Sequence, residues 1–271
     1  MIIGKAISPF ALRKKGSVPT DADAQAFITA TGITGTNATA TNQLVVDLKA
    51  ANIWAKMKAV YPLVGGSATS HKYNLKDSRD LDAAFRLVFA GGLTHSSSGI
   101  LGGGVNGWAN TFLVPSTSLT LNNNHVSCNI YTDAVSASTQ AHISANQSAS
   151  SINQLSSLST TSEVSYNGSA TASISKTVTS TTHKGFWCGS RLSTTSHNLI
   201  DPTGNITANT TSVTSTLPTL TVGLLCRRSA STDQYSSFGY SFFSIGNGLT
   251  TTEMTAFKTA VNNFQTTLGR I

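Results

Sequence analysis

Charged residues are scarce in this chain of 271 residues. There are 18 Lys and Arg and 11 Asp and Glu, so charged residues make up 11% of the sequence, whereas about a quarter is usual. Disorder normally combines high net charge with low hydrophobicity, but the hydrophobic fraction here is 39%. The composition therefore predicts a folded chain with a neutral, hydroxyl-rich surface. Its length allows one large β domain or two smaller ones.

Cysteine and long apolar runs are also rare. The three cysteines, Cys128, Cys188 and Cys226, lie far apart and form no CxxC pair. This spacing argues against a disulfide framework and a zinc site, so we expect three buried thiols. No apolar run reaches the roughly 18 residues that span a membrane, so we expect no membrane insertion. The basic cluster near the start follows the apolar residues, which is the reverse of a signal peptide.

The middle of the chain has few candidates for catalysis or metal binding. Residues 93–226 contain three acids, Asp133, Glu163 and Asp201, whereas glycoside hydrolysis needs a placed pair of carboxylates. The six histidines show no metal-ligand spacing, and no G-x-S-x-G elbow occurs. The glycine-rich stretch Gly99–Gly107 lacks the Lys-Ser/Thr of a phosphate loop. We therefore expect no catalytic residues, no enzymatic activity, no metal and no cofactor.

Positive charge is concentrated in the first third of the chain. Residues 1–92 carry 11 Lys and Arg against 6 Asp and Glu, and residues 93–271 carry 7 against 5. The pair Gly91-Gly92 marks this shift, so we predict an N-terminal arm and helical region, 1–92, and a second region, 93–271. The charge is sparse and has few aromatics between it, which argues against nucleic-acid binding.

One basic cluster in this region is a candidate for docking on a partner. A solvated arm is an equally consistent interpretation of the same residues. The cluster consists of Arg13, Lys14 and Lys15.

Helical patterns occur near both ends of the chain. Thr20–Gly32 fits a short helix that its first residue caps and its last residue ends. Thr41–Pro62 fits a second helix with an apolar stripe, ended by the proline. The last helix opens with a T-x-x-E capping box at Thr250 and Glu253. We expect its apolar stripe to pack against the rest of the fold: Phe257, Val261, Phe264 and Leu268.

Alternation with a period of two dominates from Leu93 to about Gly246. Short apolar and aromatic runs recur there between turn signals such as Asp-Pro-Thr-Gly at Asp201, which fits a type I turn. The Ser/Thr-rich stretch Ser159–His183 follows the same alternation, so we predict strand there rather than a disordered tail. Phe85–Ala90 also has strand character. The pattern predicts an antiparallel sandwich or barrel flanked by helices.

The Asn167-Gly168 pair lies between two of these runs and is a hairpin signal. A two-residue turn would pair Tyr166 with Ser169. The tyrosine would then lie opposite the Ser and Thr residues of the following run instead of its apolar residues. Pairing Tyr166 with Ala170 needs a third loop residue or a bulge. We therefore predict the longer loop.

Aromatic residues beside polar groups are candidates for stacking on sugars. Trp187 lies four residues before Arg191, and Tyr131 ends the run SCNIY. Burial in the core is an alternative interpretation for either aromatic. The sequence thus offers Tyr131, Trp187 and Arg191 as glycan contacts.

Three stretches resemble known families. Trp54–Gly99, "WAKMKAVYPLVGGSATSHKYNLKDSRD…", resembles a block that recurs in virion proteins of tailed bacteriophages. Phe243–Arg270, "FSIGNGLTTTEMTAFKTAVNNFQTTLGR", resembles the C-terminal block of the same proteins. The Ser/Thr-rich middle, ending in "LTVGLLCRRSASTDQYSSFGYSFFSIG", is similar to the concanavalin A-like (laminin-G-like) jelly roll. The resemblance implies a mainly β fold, an antiparallel jelly-roll sandwich with flanking N-terminal and C-terminal helices.

The same resemblance implies a role on the phage particle. The expected function is a structural virion protein on the particle surface, as capsid decoration, head fibre or tail fibre. The alternative is a glycan- or receptor-binding module for host adsorption. Expected partners are other virion proteins, further copies of this chain and a host surface glycan. The carboxylate motif of the glucanase members is absent and the laminin-G calcium ligands have no match, so neither property carries over.

Overall fold

The fold is a β-sandwich with a layer of helices on one side. The computed structural model describes residues 20–132, 139–159, 162–178, 183–212, 214–229 and 234–271. Its helices are α1 (Ala22–Thr31), α2 (Gly35–Ala50), α3 (Ala68–His71), α4 (Pro115–Ser118) and α5 (Thr251–Thr267). The predicted fold class, an antiparallel sandwich with flanking helices, is confirmed.

The strands follow in chain order. They are β1 (Met57–Tyr61), β2 (Val88–Ala90), β3 (Thr94–Ser96), β4 (Gly99–Leu101), β5 (Trp108–Asn110), β6 (Asn124–Ile130), β7 (Gln140–Ser148), β8 (Ser151–Ser159), β9 (Ser162–Gly168), β10 (Ile174–Thr177), β11 (Gly185–Ser193), β12 (Ser196–Ile200), β13 (Ile206–Asn209), β14 (Gly223–Leu224), β15 (Cys226–Arg227), β16 (Gln234–Tyr235) and β17 (Gly239–Gly246).

Two sheets form the sandwich. The central sheet has the order β13-β12-β11-β6-β17-β4-β3, and β1 also pairs with β17. The outer sheet has the order β10-β9-β8-β7-β14-β5-β2, and a short two-stranded ribbon, β15-β16, lies beside β7. The strands β10 and β13 are therefore the outermost strands at the same end of the two sheets.

The central sheet is covered on both faces. One face packs on the outer sheet through residues such as Trp187, Val126 and Phe243. The other face packs on the helices through residues such as Phe186 and Phe242. Adjacent residues of β11 thus enter different cores, as the alternation of side chains along a strand requires.

The first predicted helix is confirmed with a shifted start. The helix α1 begins after Asp21, whose carboxylate accepts from the backbone N–H of Asp23 at 3.0 Å. Asp21 rather than Thr20 is therefore the N-cap. Gly32 ends the helix with φ of 68°, in the left-handed region that glycine adopts without strain.

The second predicted helix is wrong beyond Ala50. Asn52 takes a left-handed conformation with φ of 58°, which ends the helical path. The following residues form β1 because they enter two cores, with Val60 among the helices and Tyr61 in the sandwich. A strand that is covered on both faces buries consecutive residues on opposite sides. Such a strand does not have the one-sided apolar stripe of an amphipathic helix.

Within the described residues, the Ser/Thr-rich stretch contains β9 and β10, as predicted, with a short 3-10 helix at Ala170–Ala172 between them. The predicted loop at Asn167-Gly168 is wrong, because Ser169–Ser173 separates β9 from β10. The expected pairing of Tyr166 with Ala170 is wrong, because Ser165 pairs with Ile174. The Asn167-Gly168 pair belongs to β9 and pairs with β8 instead of forming a turn.

Residues before the glycine pair contribute to both sheets. The strand β1 joins the central sheet and β2 joins the outer sheet. The division at residue 92 and its role in attachment stay predictions. Among the described residues, no helix has the length and apolar character needed to span a membrane.

The last helix packs as expected. Phe257 is fully buried, and its ring centroid lies 5.1 Å from that of Phe186 and 5.9 Å from that of Phe242.

We predict that Phe257→Ala lowers the free energy of unfolding by about 3–5 kcal/mol, because it leaves a cavity between helix and sheet. Urea melts measure this loss, with the exposed Thr255→Ala as control. A loss below about 1 kcal/mol would contradict the packing.

Candidate functional site

Two of the predicted glycan contacts are buried. Trp187 is 2% exposed and its indole N–H donates to the carbonyl of His183 at 2.8 Å. Arg191 is 1% exposed. Both side chains point from β11 into the space between the sheets, so neither offers a surface on which a sugar could stack. The prediction of these two residues as glycan contacts is therefore wrong, because both faces of the central sheet are covered.

Tyr131 lies directly after β6 and is partly exposed. Burial raises the pKa of its phenol, while a hydrogen bond with Ser96 and the nearby charge of Arg270 lower it. Its ring packs against the backbone of Gly239, where a Cβ would come within 2.5 Å. A contact between Tyr131 and a glycan stays a prediction. The proposed docking residues Arg13, Lys14 and Lys15 lie outside the described residues.

A buried carboxylate with two histidines lies between the sheets. Glu163 is fully buried, and its carboxylate oxygens lie 3.0 and 3.1 Å from Nε2 of His142 and 2.6 Å from Nδ1 of His183. The other ring nitrogen of His142 lies 2.6 Å from the hydroxyl of Tyr240, which lies 2.6 Å from that of Ser236. Period-two alternation does not reveal that this carboxylate is buried. No spacing signal in the sequence could have joined residues so far apart.

The electrostatics of this cluster favour an ionised carboxylate. Burial raises the pKa of Glu163, but the facing imidazoles of His142 and His183 outweigh it, so the net shift is downward. All three residues are fully buried, which leaves a substrate no access to them. Within the described part of the chain, no group of three or more His, Cys, Asp or Glu side chains is arranged to hold a metal ion. The contacts of Glu163 join β9 to β7 and to the residue His183 before β11.

An open groove lies where the edges of the two sheets meet. It has a volume of about 330 Å³ and runs between β10 and β13. We call it the hydroxyl groove, and it is lined by Ser173, Ile174, Ser175, Thr207, Ala208, Asn209 and Thr210. Asn209 Nδ2 donates to the carbonyl of Ser173 at 2.9 Å, which holds the two edges together.

The chemistry of the hydroxyl groove suits a neutral polar ligand. Its lining has hydroxyl, amide and small apolar side chains and carries no charge. Because β10 and β13 are the outermost strands among the described residues, their outer backbone edges add donors and acceptors. The volume falls at the lower end of the roughly 300–1,000 Å³ that ligand sites have. A second groove of about 420 Å³, between α2 and α5, is lined mainly by alanines and offers fewer polar partners.

Comparison with solved structures shows the fold. A Trypanosoma rangeli sialidase mutant that displays trans-sialidase activity matches with a TM-score of 0.55 and 13% identity, over 82% of this chain and 39% of that chain. A structure of botulinum neurotoxin type C matches with a TM-score of 0.53 and 10% identity, over 78% of this chain and 53% of that chain. The chain thus spans about half or less of these proteins. No family model and no curated protein matches the sequence.

The lowered pKa of Glu163 makes stability depend on pH. Its folded-state pKa lies below the usual 4.5, so the carboxylate stabilises the fold above that pH, and the contribution is lost as pH falls through the folded-state pKa. We predict that Glu163→Gln lowers the free energy of unfolding at pH 7 by about 1–3 kcal/mol, because the imidazole N–H groups lose a charged acceptor.

The measurement is a series of urea melts from pH 7 to pH 3. The gap between the wild type and Glu163→Gln should narrow below about pH 4.5. Asp47→Asn, which removes a carboxylate from a partly exposed position, serves as the control for the loss of one negative charge. Parallel curves for the wild type and Glu163→Gln over the whole range would contradict the ionised cluster.

Proposed function

We propose that this protein is displayed on the surface of a tailed-bacteriophage particle and that its sandwich binds a glycan of the host surface. Two independent features support the proposal. The blocks Trp54–Gly99 and Phe243–Arg270 resemble virion proteins of tailed phages. The hydroxyl groove offers an uncharged polar site at an open edge of the sandwich.

The hydroxyl groove is the observation that carries the glycan-binding part. Sugars carry rows of hydroxyl groups. The groove offers hydrogen-bond partners for them in its Ser and Thr hydroxyls, the amide of Asn209 and the strand edges. A botulinum neurotoxin type C, which depends on interaction with two ganglioside molecules to enter cells, contains the same fold. That likeness supports a glycan-binding sandwich, and the hydroxyl groove is the site that we propose for the glycan.

The binding test blocks the groove with one long side chain. Ala208 is an exposed residue of β13 in the groove lining, so Ala208→Arg should fill the groove without disturbing a core. We predict that this variant loses binding to host surface polysaccharide by more than about tenfold, a cost of about 1.4 kcal/mol or more. A glycan array and isothermal titration with the isolated polysaccharide measure the loss.

The matched control makes the same substitution on the helix layer. Ala26 is an exposed residue of α1, where arginine is a good helix former, so Ala26→Arg should bind as the wild type does. Equal loss in both variants, or no loss in Ala208→Arg, would contradict the hydroxyl groove as the site. If the wild-type protein binds no host glycan, capsid decoration without glycan binding would be the better explanation.

The virion part of the proposal has its own test. Purified particles should contain the protein in many copies, as shown by mass spectrometry. If the basic cluster docks on the particle, changing Arg13, Lys14 and Lys15 to Ala should reduce incorporation, and raised salt should do the same. Lys58→Ala, at an exposed lysine of β1, is the control. A protein found free in infected cells but absent from particles would refute the assignment.

A further inference from the structure

Asparagine followed by glycine occurs three times in the chain, at Asn106, Asn167 and Asn247. Such a pair is prone to lose the side-chain amide, because glycine has no side chain to shield its backbone nitrogen from the neighbouring Cγ. The reaction needs water at the site and a backbone that can bring the two atoms together. The three pairs differ in both conditions.

The pair at Asn167 lies inside the sandwich. Asn167 is buried, and its Nδ2 donates to the backbone carbonyl of Asn124 at 3.3 Å. Both residues of the pair belong to β9, where Gly168 pairs with Ile152 of β8. The strand holds the backbone extended and burial excludes water, so a reaction here must wait until β9 opens.

The pair at Asn247 is fixed by hydrogen bonds of its backbone. The N–H of Gly248 donates to Oδ1 of Asn123 at 2.9 Å, and the carbonyl of Asn247 accepts from Nδ1 of His125 at 2.6 Å. A Cβ at Gly248 would lie 2.3 Å from the carbonyl oxygen of Arg191, so another segment of the chain lies directly against this glycine. The backbone nitrogen that would attack is therefore already engaged.

The pair at Asn106 lies in the loop 102–107, between β4 and β5. Four of the six residues of this loop are glycine, which gives its backbone a wide choice of conformations. Asn106 is exposed, and Val105 before it is 76% exposed, so water reaches the side chain. Of the three pairs, this one alone has an exposed asparagine.

A backbone donor also faces the side-chain oxygen of Asn106. The N–H of Gly92 donates to Oδ1 at 3.0 Å. This close approach depends on Gly91, because a Cβ there would lie 2.0 Å from the carbonyl oxygen of Asn106. Attack on Cγ moves negative charge onto Oδ1, and an N–H group that is already in place stabilises such a charge. The contact with Gly92 therefore favours loss of the amide.

We propose that Asn106 is a site of spontaneous deamidation. The backbone nitrogen of Gly107 bonds to Cγ of Asn106 and gives its proton to water or hydroxide. The bond between Cγ and Nδ2 breaks, ammonia leaves, and a cyclic succinimide remains. Water then opens the ring at Cγ, which gives aspartate, or at the main-chain carbonyl carbon, which gives isoaspartate.

Either product adds a negative charge to a loop that contains no charged residue. Isoaspartate also lengthens the main chain by a methylene group directly before β5, whose first residue, Trp108, pairs with Ala90 of β2. The strands β4 and β5 lie near the ends of the two sheets opposite to β13 and β10, which border the hydroxyl groove. The modification is therefore independent of glycan binding, and failure of one leaves the other standing.

The test is incubation of the folded full chain in neutral and in mildly alkaline buffer, followed by digestion at acid pH and mass spectrometry of the peptides. We expect Asn106 to convert to aspartate and isoaspartate more than about tenfold faster than Asn167 and Asn247, because those two react only after local opening. The rate should rise with pH, since base removes the proton of the attacking nitrogen. Conversion of Asn106 no faster than that of the other two overturns the proposal.

Two controls separate the effect of the glycine from that of the fold. Asn52 is exposed but is followed by the β-branched Ile53, so its amide should persist over the same period. In guanidinium chloride the fold is lost, and Asn167 and Asn247 should then convert about as fast as Asn106. Loss of the Asn52 amide as fast as that of Asn106, or an unchanged ratio of the three rates in guanidinium chloride, contradicts the assignment.

Asn106→Gln is the matched variant, because glutamine keeps the side-chain amide but must close a larger ring, which forms more slowly. On isoelectric focusing, the acidic form that accumulates in the wild type should be lost in this variant and retained in Asn52→Gln. Gly107→Ala is unsuitable, because a Cβ there would lie 2.6 Å from Cδ2 of Leu93 and 2.9 Å from the carbonyl oxygen of Gly92. An acidic form that accumulates equally in Asn106→Gln overturns the proposal.

Discussion

The rest of the structure depends on the burial of the central sheet on both faces. Its two middle strands, β6 and β17, are buried along their whole length. Neighbouring residues such as Phe242 and Phe243 therefore enter different cores, one among the helices and one between the sheets. No flat face of this sheet is left for a ligand. The central sheet therefore leaves a ligand only its edges, and the hydroxyl groove lies at one of them.

Burial of both faces also explains why so many small polar residues are inside. Ser127 and Ser244, on adjacent strands, share a hydrogen bond of 2.7 Å, and Asn129 donates to Ser241 at 2.8 Å. A hydroxyl group can be donor and acceptor at once, so such pairs satisfy each other without charge. The Ser/Thr-rich composition is thus partly a property of the interior, and the scarcity of charge follows because paired hydroxyls replace ionised groups there.

The sequence predicts the sandwich, the capped helices and the stripe of the last helix, because these depend on local periodicity and end signals. It does not predict where Glu163 or Trp187 points. The alternating pattern predicts that adjacent residues of a strand point to opposite faces of the sheet. It does not predict that both faces of the sheet are buried. The cluster of Glu163 with His142 and His183 is likewise hidden, since the three residues come from separate strands and loops. The hydroxyl groove joins two strand edges that are neighbours only in space.

The pairing of β17 has a consequence for synthesis of the chain. This strand, Gly239–Gly246, pairs with β1, β4 and β6, so the middle of the central sheet is assembled around a strand that is synthesised after all three of its partners. Until then β6 lacks one neighbour and β1 lacks its partner, and both expose unpaired edges. Native folding of the central sheet must therefore wait until Gly246 has been synthesised. Chains stopped before residue 239 should therefore aggregate or be degraded instead of accumulating as a smaller domain.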